Sequence, residues 1–481
     1  MRRLSVLLML LCPCIALAQT APQGPPSSGS PAASQAPPPT SQVSPQALQL
    51  SPQAAYDQAS APVDIIHRDL ANWSDVEINS LTAAIAQARD ACRARASEVY
   101  TGSDLIAYAR LCALGKEWQA TYVAATTYIN SKDAAKPLLG QAYAFEVQAD
   151  LNLVHAKQGE ATCIAMLRSV PYSLLTDEVT SVTIRYLQYA FLPEALDLAF
   201  QREPYILDLL RAESSSPVPD QSQPATPATI PIHTLFESAL EFAALQQFNN
   251  QPERAAAALA DLDRAMPATV PSDEAILIAA DRRRYALLGT HFPALPGAVS
   301  LLPANETPPA QPKFGSATVF LLFPPWCAQC IRQAQQIVST LVATAMARGP
   351  GPESDVHIYA LLADVPPPAP APPPPKAAAH PSAAGAHHTP VAAAHSDTDS
   401  DKAAPKSAID QLRKTPTLVV APSTLADFDA SDFPFLVATD CDGLIRLIVS
   451  PAPDNALAQD GPVDQLTDTI LQHWPPPSPS R

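Results

Sequence analysis

Glycine is scarce in this chain, which contains 14 among 481 residues. Phosphate-binding loops and dinucleotide-binding fingerprints need several glycines at fixed spacing, and neither motif occurs in the sequence. The G-x-S-x-G turn that presents a nucleophilic serine in hydrolases is absent as well. The sequence therefore contains no recognisable nucleotide-binding loop and no serine-nucleophile motif. Any catalytic residues must be of other types.

Basic residues are also few, because 30 Lys and Arg face 46 Asp and Glu, for a formal charge of −16. Nucleic acids and anionic membrane surfaces bind basic patches, so we expect neither as a partner. Apolar runs of membrane-spanning length are absent after the first 17 residues. We therefore expect no integral membrane segment in the mature chain.

The N-terminus has the pattern of an export signal. Two arginines precede a Leu-rich run at 4–17, which ends in the small-x-small sequence Ala-Leu-Ala. This pattern predicts a cleaved signal peptide over residues 1–18 and a protein of the periplasm or another extracytoplasmic space. A membrane anchor or a buried helix is the alternative, although the run is short and a proline interrupts it.

Proline is abundant, with 54 residues, and it disfavours helix interiors and central strands. Pro-rich stretches therefore predict linkers between the domains of a multidomain chain. The predicted order is a disordered linker at 19–61, an α-helical domain at 62–294, a linker at 295–312, an α/β domain at 313–475 with a Pro/Ala/His-rich insertion at 365–405, and a tail at 476–481.

Apolar periodicity predicts an array of helical hairpins in the first domain. The first expected helix ends near residue 100. The others cover 105–114, 119–130, 134–158, 160–167, 177–190, 193–210, 235–248 and 252–265. In the last pair, repeat-type positions are occupied by Ala239, Leu240, the turn at 249–252, Ala256, Leu259 and Pro267. This pair resembles a tetratricopeptide repeat, but no regular 34-residue period is established. The array is interpreted either as a docking surface or as a helical spacer.

Six cysteines remain after cleavage of the leader, namely Cys92, Cys112, Cys163, Cys327, Cys330 and Cys441. Cys92 and Cys112 lie at similar distances on either side of a turn at 101–102. Two antiparallel helices would bring them to the same level, so they form either a hairpin disulfide or two separately buried thiols.

Cys327 and Cys330 form a C-x-x-C between a predicted strand at 318–323 and a predicted helix. A thiol at a helix N-terminus is stabilised as the thiolate by unpaired N–H groups and the helix dipole. Cys327 is therefore the candidate attacking thiol and Cys330 the resolving thiol. An inert disulfide is the alternative, and a zinc site lacks the further ligands that it needs.

Downstream, the sequence P-F-L-V-A-T-D-C-D-G-L-I begins at Pro434 and follows another strand and a short helix. Together with W-C-A-Q-C, this order resembles the thioredoxin-like superfamily, and most closely its exported TlpA- and ResA-like thiol–disulfide oxidoreductases. The resemblance covers about 313–474. It implies a thioredoxin-like fold, a redox-active Cys327–Cys330 pair, no cofactor or metal, and a substrate groove formed by Trp326, Phe433 and a cis-proline at Pro434.

The chain departs from that family at Leu321, where relatives carry a buried acid, and in the Ala-Gln dipeptide between the cysteines. Both departures leave the direction of electron flow open. The first hypothesis is thus an exported oxidoreductase that acts on a protein client and exchanges electrons with an upstream partner. The second is a cell-envelope interaction protein whose thioredoxin-like domain is structural.

Four histidines in the insertion, His380, His387, His388 and His395, are interpreted as part of a solvated spacer or as weak metal ligands. Their irregular spacing in a Pro- and Ala-rich stretch favours the spacer. We therefore predict no metal site.

Overall fold

The computed structural model describes residues 50–62, 75–132, 136–215, 230–295, 297–301, 317–325, 357–363, 417–422 and 435–449, together with residues 331, 428, 466 and 469. The predicted signal peptide, insertion and tail lie outside these residues. Within them, a helical region precedes a mixed α/β region.

Eleven helices lie in the described residues: α1 (Pro52–Ser60), α2 (Asp75–Ala94), α3 (Ser103–Leu114), α4 (Trp118–Ile129), α5 (Leu139–Asn152), α6 (Ala156–Ser169), α7 (Leu174–Leu187), α8 (Leu192–Ser215), α9 (Ile232–Phe248), α10 (Pro252–Ala265) and α11 (Ser272–Leu287). The six described strands are β1 (Val299–Ser300), β2 (Thr318–Phe323), β3 (His357–Ala363), β4 (Thr417–Val420), β5 (Phe435–Thr439) and β6 (Ile445–Val449).

The same three-residue turn joins three helix pairs, α3–α4, α5–α6 and α9–α10. Its middle residue has a left-handed backbone, with φ of 60° at Lys116, 63° at Val154 and 55° at Asn250. The residue after it donates its N–H to the carbonyl five positions earlier, at 2.9, 2.8 and 2.8 Å respectively. This bond pattern is a Schellman motif, which closes a helix and reverses the chain. The helical region therefore repeats one hairpin design at three places.

The sequence predicts a continuous helix at 134–158 and a second helix at 160–167, so Val154 lies inside a predicted helix. The structure corrects this division: the break is at residues 153–155, and Gly159 lies inside α6. A Cβ on Gly159 would come within 2.9 Å of a Leu151 methyl group, so the missing side chain lets α5 and α6 approach closely.

A left-handed backbone is strained for a β-branched residue, and Val154 is 66% exposed, so it buries little surface in return. We expect Val154→Gly to raise the free energy of unfolding by about 0.5–1 kcal/mol, since relief of strain exceeds the entropy cost of glycine. Urea denaturation measures this change. Val99→Gly is the matched control, because Val99 is 92% exposed without positive φ, and it should not stabilise. A lower stability for Val154→Gly would contradict the explanation.

Helix α1 lies within the predicted linker at 19–61, so that prediction is wrong for the last part of the segment. The Ser51 hydroxyl accepts a hydrogen bond from the Ala54 N–H, and Pro52 occupies the first turn, as at many helix starts. Tyr56 is buried against the helices that follow, and the buried guanidinium of Arg95 donates to the Leu50 carbonyl at 3.0 Å. The folded helical region therefore begins about ten residues earlier than predicted.

A disulfide joins Cys92 of α2 to Cys112 of α3 across 20 residues of sequence. Both cysteines are at most 1% exposed and lie in the apolar cluster that α1 to α5 share. Of the two sequence alternatives, the structure contains the hairpin disulfide.

Because the bridge closes a loop of about 20 residues, we expect Cys92→Ala/Cys112→Ala to lose about 3 kcal/mol of stability in urea unfolding. The measurement is made in a Cys327→Ser/Cys330→Ser background, so that reductant acts on no C-x-x-C pair. There, dithiothreitol should lower the stability of the protein with the bridge and leave the double-alanine variant unchanged. If dithiothreitol changed the stability of both proteins equally, the disulfide would contribute nothing to stability.

The α/β region contains one six-stranded sheet in the order β1-β4-β3-β2-β5-β6. Strands β2, β3 and β4 are parallel neighbours, whereas β5 pairs antiparallel with both β2 and β6. Every residue of β2 and β5 is buried, because apolar side chains cover both faces of the sheet. One face joins the cluster that continues into the helical region, and the other packs on Phe292, Leu295 and Phe428.

The predicted linker at 295–312 is partly strand, since β1 pairs with β4 through Val299 and Val419. On the opposite edge, the segment after α11 hydrogen-bonds to β6: the Gly289 N–H donates to the Ile445 carbonyl, and the Ile445 N–H donates to Thr290. The last described helix of the helical region therefore leads directly into a segment that covers the β6 edge of the sheet.

Candidate active site

The central strand β2 ends at Phe323 and leads into a buried Pro324, a turn at Pro325 and then the C-x-x-C. Ile331, the residue that follows Cys330, is helical and 1% exposed, and it lies in the same apolar cluster as Val319 and Leu321 of β2. The two described flanks of the motif are thus a buried strand and a helical residue. The rest of the helix that the apolar pattern predicts after Cys330 lies outside the described residues.

The register of β2 with β5 determines what lies beside this strand end. Leu322 is paired with Phe435, the first residue of β5. Because the strands are antiparallel, the end of β2 and the start of β5 lie at the same end of the sheet.

The five residues assigned to the dithiol and its groove, Trp326, Cys327, Cys330, Phe433 and Pro434, lie outside the described residues. Leu321, the position at which the family resemblance predicts a buried acid, is described and fully buried. It pairs with Ala360 on one side and Leu436 on the other. The centre of the sheet therefore carries an apolar side chain at this position.

The Asp-Cys-Asp-Gly turn between β5 and β6 is held by Asp440, which is 2% exposed. One oxygen of its carboxylate accepts the N–H groups of Asp442 and Leu444 at 3.0 and 2.9 Å, and the other accepts Arg446 Nε at 2.7 Å. Gly443 supplies the positive φ of 77° that closes the turn. The motif is thus a structural clamp on the hairpin that begins at Phe435.

Asp440→Ala removes these three hydrogen bonds to a carboxylate, one of which belongs to an ion pair with Arg446, so we expect a loss on the order of 3 kcal/mol in the free energy of unfolding. Asp442→Ala is the matched control two residues away. The Asp442 side chain is exposed and only its backbone N–H contributes to the turn, so its replacement should change stability by less than about 0.5 kcal/mol. Equal effects of both variants in urea denaturation would contradict this division of roles.

The remaining described thiols lie away from this end of the sheet. Cys441 is buried at the turn beyond Thr439, which pairs with Thr318 at the opposite end of β2. Cys163 is fully buried in α6, 3.5 Å from the Thr180 hydroxyl, and burial raises the pKa of its thiol to about 11. A thiol with so high a pKa is a poor nucleophile at neutral pH.

A cavity of about 380 Å³ opens where the helical region meets this end of the sheet, and sequence reasoning missed it. Its walls come from α7, α9 and α11 and from Phe435, Ile448 and Val449 of the sheet. The Arg284 guanidinium lies 5.7 Å from the centre of the Phe435 ring and forms an ion pair with Asp281. The charged sequence of α11 signals a polar helix, but nothing in it indicates that this helix faces the sheet.

The described residues contain no group of three or more His, Cys, Asp or Glu side chains arranged to hold a metal ion. None of the helices described has both the length and the apolar character that crossing a bilayer requires. Comparison of the chain with known protein families, with curated proteins and with solved structures found no match.

Proposed function

We propose that the chain is an exported thiol–disulfide oxidoreductase of thioredoxin-like fold, in which Cys327 attacks and Cys330 resolves. The observation that carries the proposal is the pairing of Leu322 with Phe435. It supports a shared site because the strand before the C-x-x-C and the strand after Pro434 have their relevant ends side by side. These are the two motifs on which the family resemblance rests.

The Cys92–Cys112 disulfide supports the extracytoplasmic part of the proposal. Structural disulfides persist in oxidising compartments and are rare in the reducing cytosol. A buried bridge therefore agrees with the export signal predicted at 1–18, although it carries no redox chemistry itself.

The chemical steps follow from thiol–disulfide exchange. The Cys327 thiolate attacks one sulfur of a client disulfide, so a mixed disulfide forms and one client thiolate leaves and takes a proton from water. Cys330 then loses its proton to water and attacks the Cys327 sulfur, which releases the second client thiol and leaves a Cys327–Cys330 disulfide. A dithiol of the upstream partner reduces this disulfide, and the reverse sequence oxidises a client. The direction depends on the potential of the pair relative to that of the client.

The helical region supports a docking role in the same protein. Three hairpins with one turn geometry support the tetratricopeptide-like interpretation more strongly than the single repeat found in the sequence. We propose that this array brings the oxidoreductase domain to its client or its upstream partner.

Reduction of insulin by dithiothreitol tests the function. We expect the wild-type protein to accelerate it, and Cys327→Ser to leave only the uncatalysed rate. After reduction and removal of dithiothreitol, Cys330→Ser should trap a mixed disulfide with the client, visible on a non-reducing gel. Cys163→Ala is the matched control, because that thiol is fully buried in the helical region, and it should retain activity. A reduction potential of about −270 mV for the Cys327–Cys330 pair would indicate a reductase, and a much higher potential would indicate an oxidant.

The second candidate is a cell-envelope interaction protein with an inactive thioredoxin-like domain, and the buried Leu321 favours it. Without a carboxylate at this position, the domain lacks the internal proton acceptor that its relatives use. This candidate predicts that the wild-type protein does not reduce or oxidise insulin disulfides, and that Cys327 is not alkylated after reduction. Both results together would support it over the oxidoreductase.

A further inference from the structure

The disulfide between Cys92 and Cys112 is closed off from solvent, although it joins two helices at the N-terminal end of the helical region. Cys92 is 1% exposed and Cys112 is 0% exposed. Thiol–disulfide exchange requires a thiolate to reach one sulfur atom of the disulfide. A thiol therefore cannot attack this bridge until part of the surrounding structure moves away.

Helix α1 packs on both helices that the bridge joins, α2 and α3. Its buried residues Ala55, Tyr56 and Ala59 belong to the same apolar cluster as the two cysteines. Because α1 precedes Cys92 in the chain, it lies outside the loop that the disulfide closes. The bridge does not restrain α1, so only non-covalent contacts keep this helix docked.

Two arginines, one close to each cysteine in the sequence, anchor α1 beside the bridge. Arg95, three residues after the first cysteine, is fully buried and donates to the carbonyls of Leu50 at 3.0 Å and Ala91 at 2.8 Å. Arg110, two residues before the second cysteine, has its guanidinium carbon 5.4 Å from the centre of the Tyr56 ring. The start and the middle of α1 are thus held against the parts of α2 and α3 that carry the disulfide.

Helix α1 is also the element of this cluster that we expect to open most easily. It has nine residues, and isolated helices of that length are marginal in water. Tyr56 is its largest buried side chain, and its other buried positions are Pro52, Ala55, Ala59 and Ser60. Elements that bury little apolar surface open locally at a lower free energy than the whole domain. Release of α1 is therefore the easiest way to uncover the bridge.

A second cover of the disulfide comes from within the closed loop. The Tyr108 hydroxyl oxygen lies 3.8 Å from the Cys92 sulfur, and this hydroxyl donates to the Cys92 carbonyl at 3.4 Å. The ring of Tyr108 lies against that of Tyr100, with 5.1 Å between the ring centres. Both tyrosines lie between the two cysteines in the chain, so the bridge restrains this cover, whereas it does not restrain α1.

We propose that α1 is a strap whose docking protects the Cys92–Cys112 bridge from thiols, and whose release is coupled to reduction of the bridge. A thiolate that reaches one sulfur forms a mixed disulfide with it and expels the other cysteine as a thiolate, which takes a proton from water. A second thiol of the reductant attacks the mixed disulfide, so the reductant leaves as a disulfide and both cysteines become thiols. The bridge gains the two electrons and two protons that the reductant loses.

The coupling follows from where α1 docks. Loss of the bridge loosens α2 against α3, and these two helices form the surface on which α1 packs. Release of α1 in turn opens the bridge to reduction, so each event favours the other. Under the proposed function, thiols of clients and of the upstream partner approach the protein at every turnover, and the strap keeps them from a structural bridge. Protection by α1 does not depend on that function, because any external thiol tests it.

The rate at which dithiothreitol reduces the bridge under native conditions measures the protection. The full-length protein carries Cys327→Ser/Cys330→Ser, so no C-x-x-C pair takes part. Samples are alkylated with iodoacetamide at successive times, and modified Cys92 and Cys112 are counted by mass spectrometry. The rate is read where it is proportional to the dithiothreitol concentration, because it then reports the population of the open state.

Ser51→Ala removes the N-cap of α1 and leaves its packed face intact. We expect reduction to become about fivefold faster, which corresponds to the roughly 1 kcal/mol typical of a cap. Ser173→Ala is the matched control, because it removes an N-cap of the same kind from α7, outside the apolar cluster of the bridge. It should leave the rate unchanged. Tyr56→Ala, which removes the largest packing contact of α1, should accelerate reduction at least tenfold.

Equal rates for Ser51→Ala and Ser173→Ala, whether both are faster or both unchanged, overturn the protection by α1. The coupling is tested in the opposite direction by hydrogen exchange of Cys92→Ala/Cys112→Ala. We expect the amides of α1 to exchange faster than in the protein with the bridge, and those of α10 to change less. Unchanged exchange in α1, or equal acceleration in α10, overturns the coupling. Since the reduction assay uses protein without the C-x-x-C pair, its outcome is the same whether or not the proposed oxidoreductase is active.

Discussion

The antiparallel pairing of β2 with β5 is the constraint on which the rest of the α/β region depends. A shift of β2 by one residue in this register would exchange its two buried faces, so Leu322 would take the place of Leu321 and the packing of both apolar clusters would be lost. The pairing also joins segments more than a hundred residues apart, so the end of the strand before the C-x-x-C and the start of the strand after Pro434 lie at the same end of the sheet. The clamp at Asp440 holds the other end of the same hairpin. Site geometry and domain stability therefore rest on the same backbone bonds.

The helical region is tied to this hairpin rather than joined to it by a free linker. Helix α11 runs into residues 289–292, which bond to the edge of β6, and its Arg284 packs on Phe435. Thr469, near the C-terminus, donates to the Tyr189 carbonyl beyond α7 at 2.7 Å. A load or ligand that moves α9 or α11 would therefore act on the start of β5 directly. This coupling would give the helical region a physical route to the proposed site, which a spacer would lack.

Much of this organisation could be predicted from the sequence because the relevant signals are local. Strands such as Thr318–Phe323 are short apolar runs bounded by proline, and helices α9 and α10 have apolar periodicity, with Pro252 at the start of α10. The break at Val154 could not be predicted, since a β-branched residue is the least expected occupant of a left-handed turn. Helix α1 did have a signal, Ser51 before Pro52, but the Pro-rich composition around it concealed the cap. The cavity had none, because it depends on how distant helices meet the sheet.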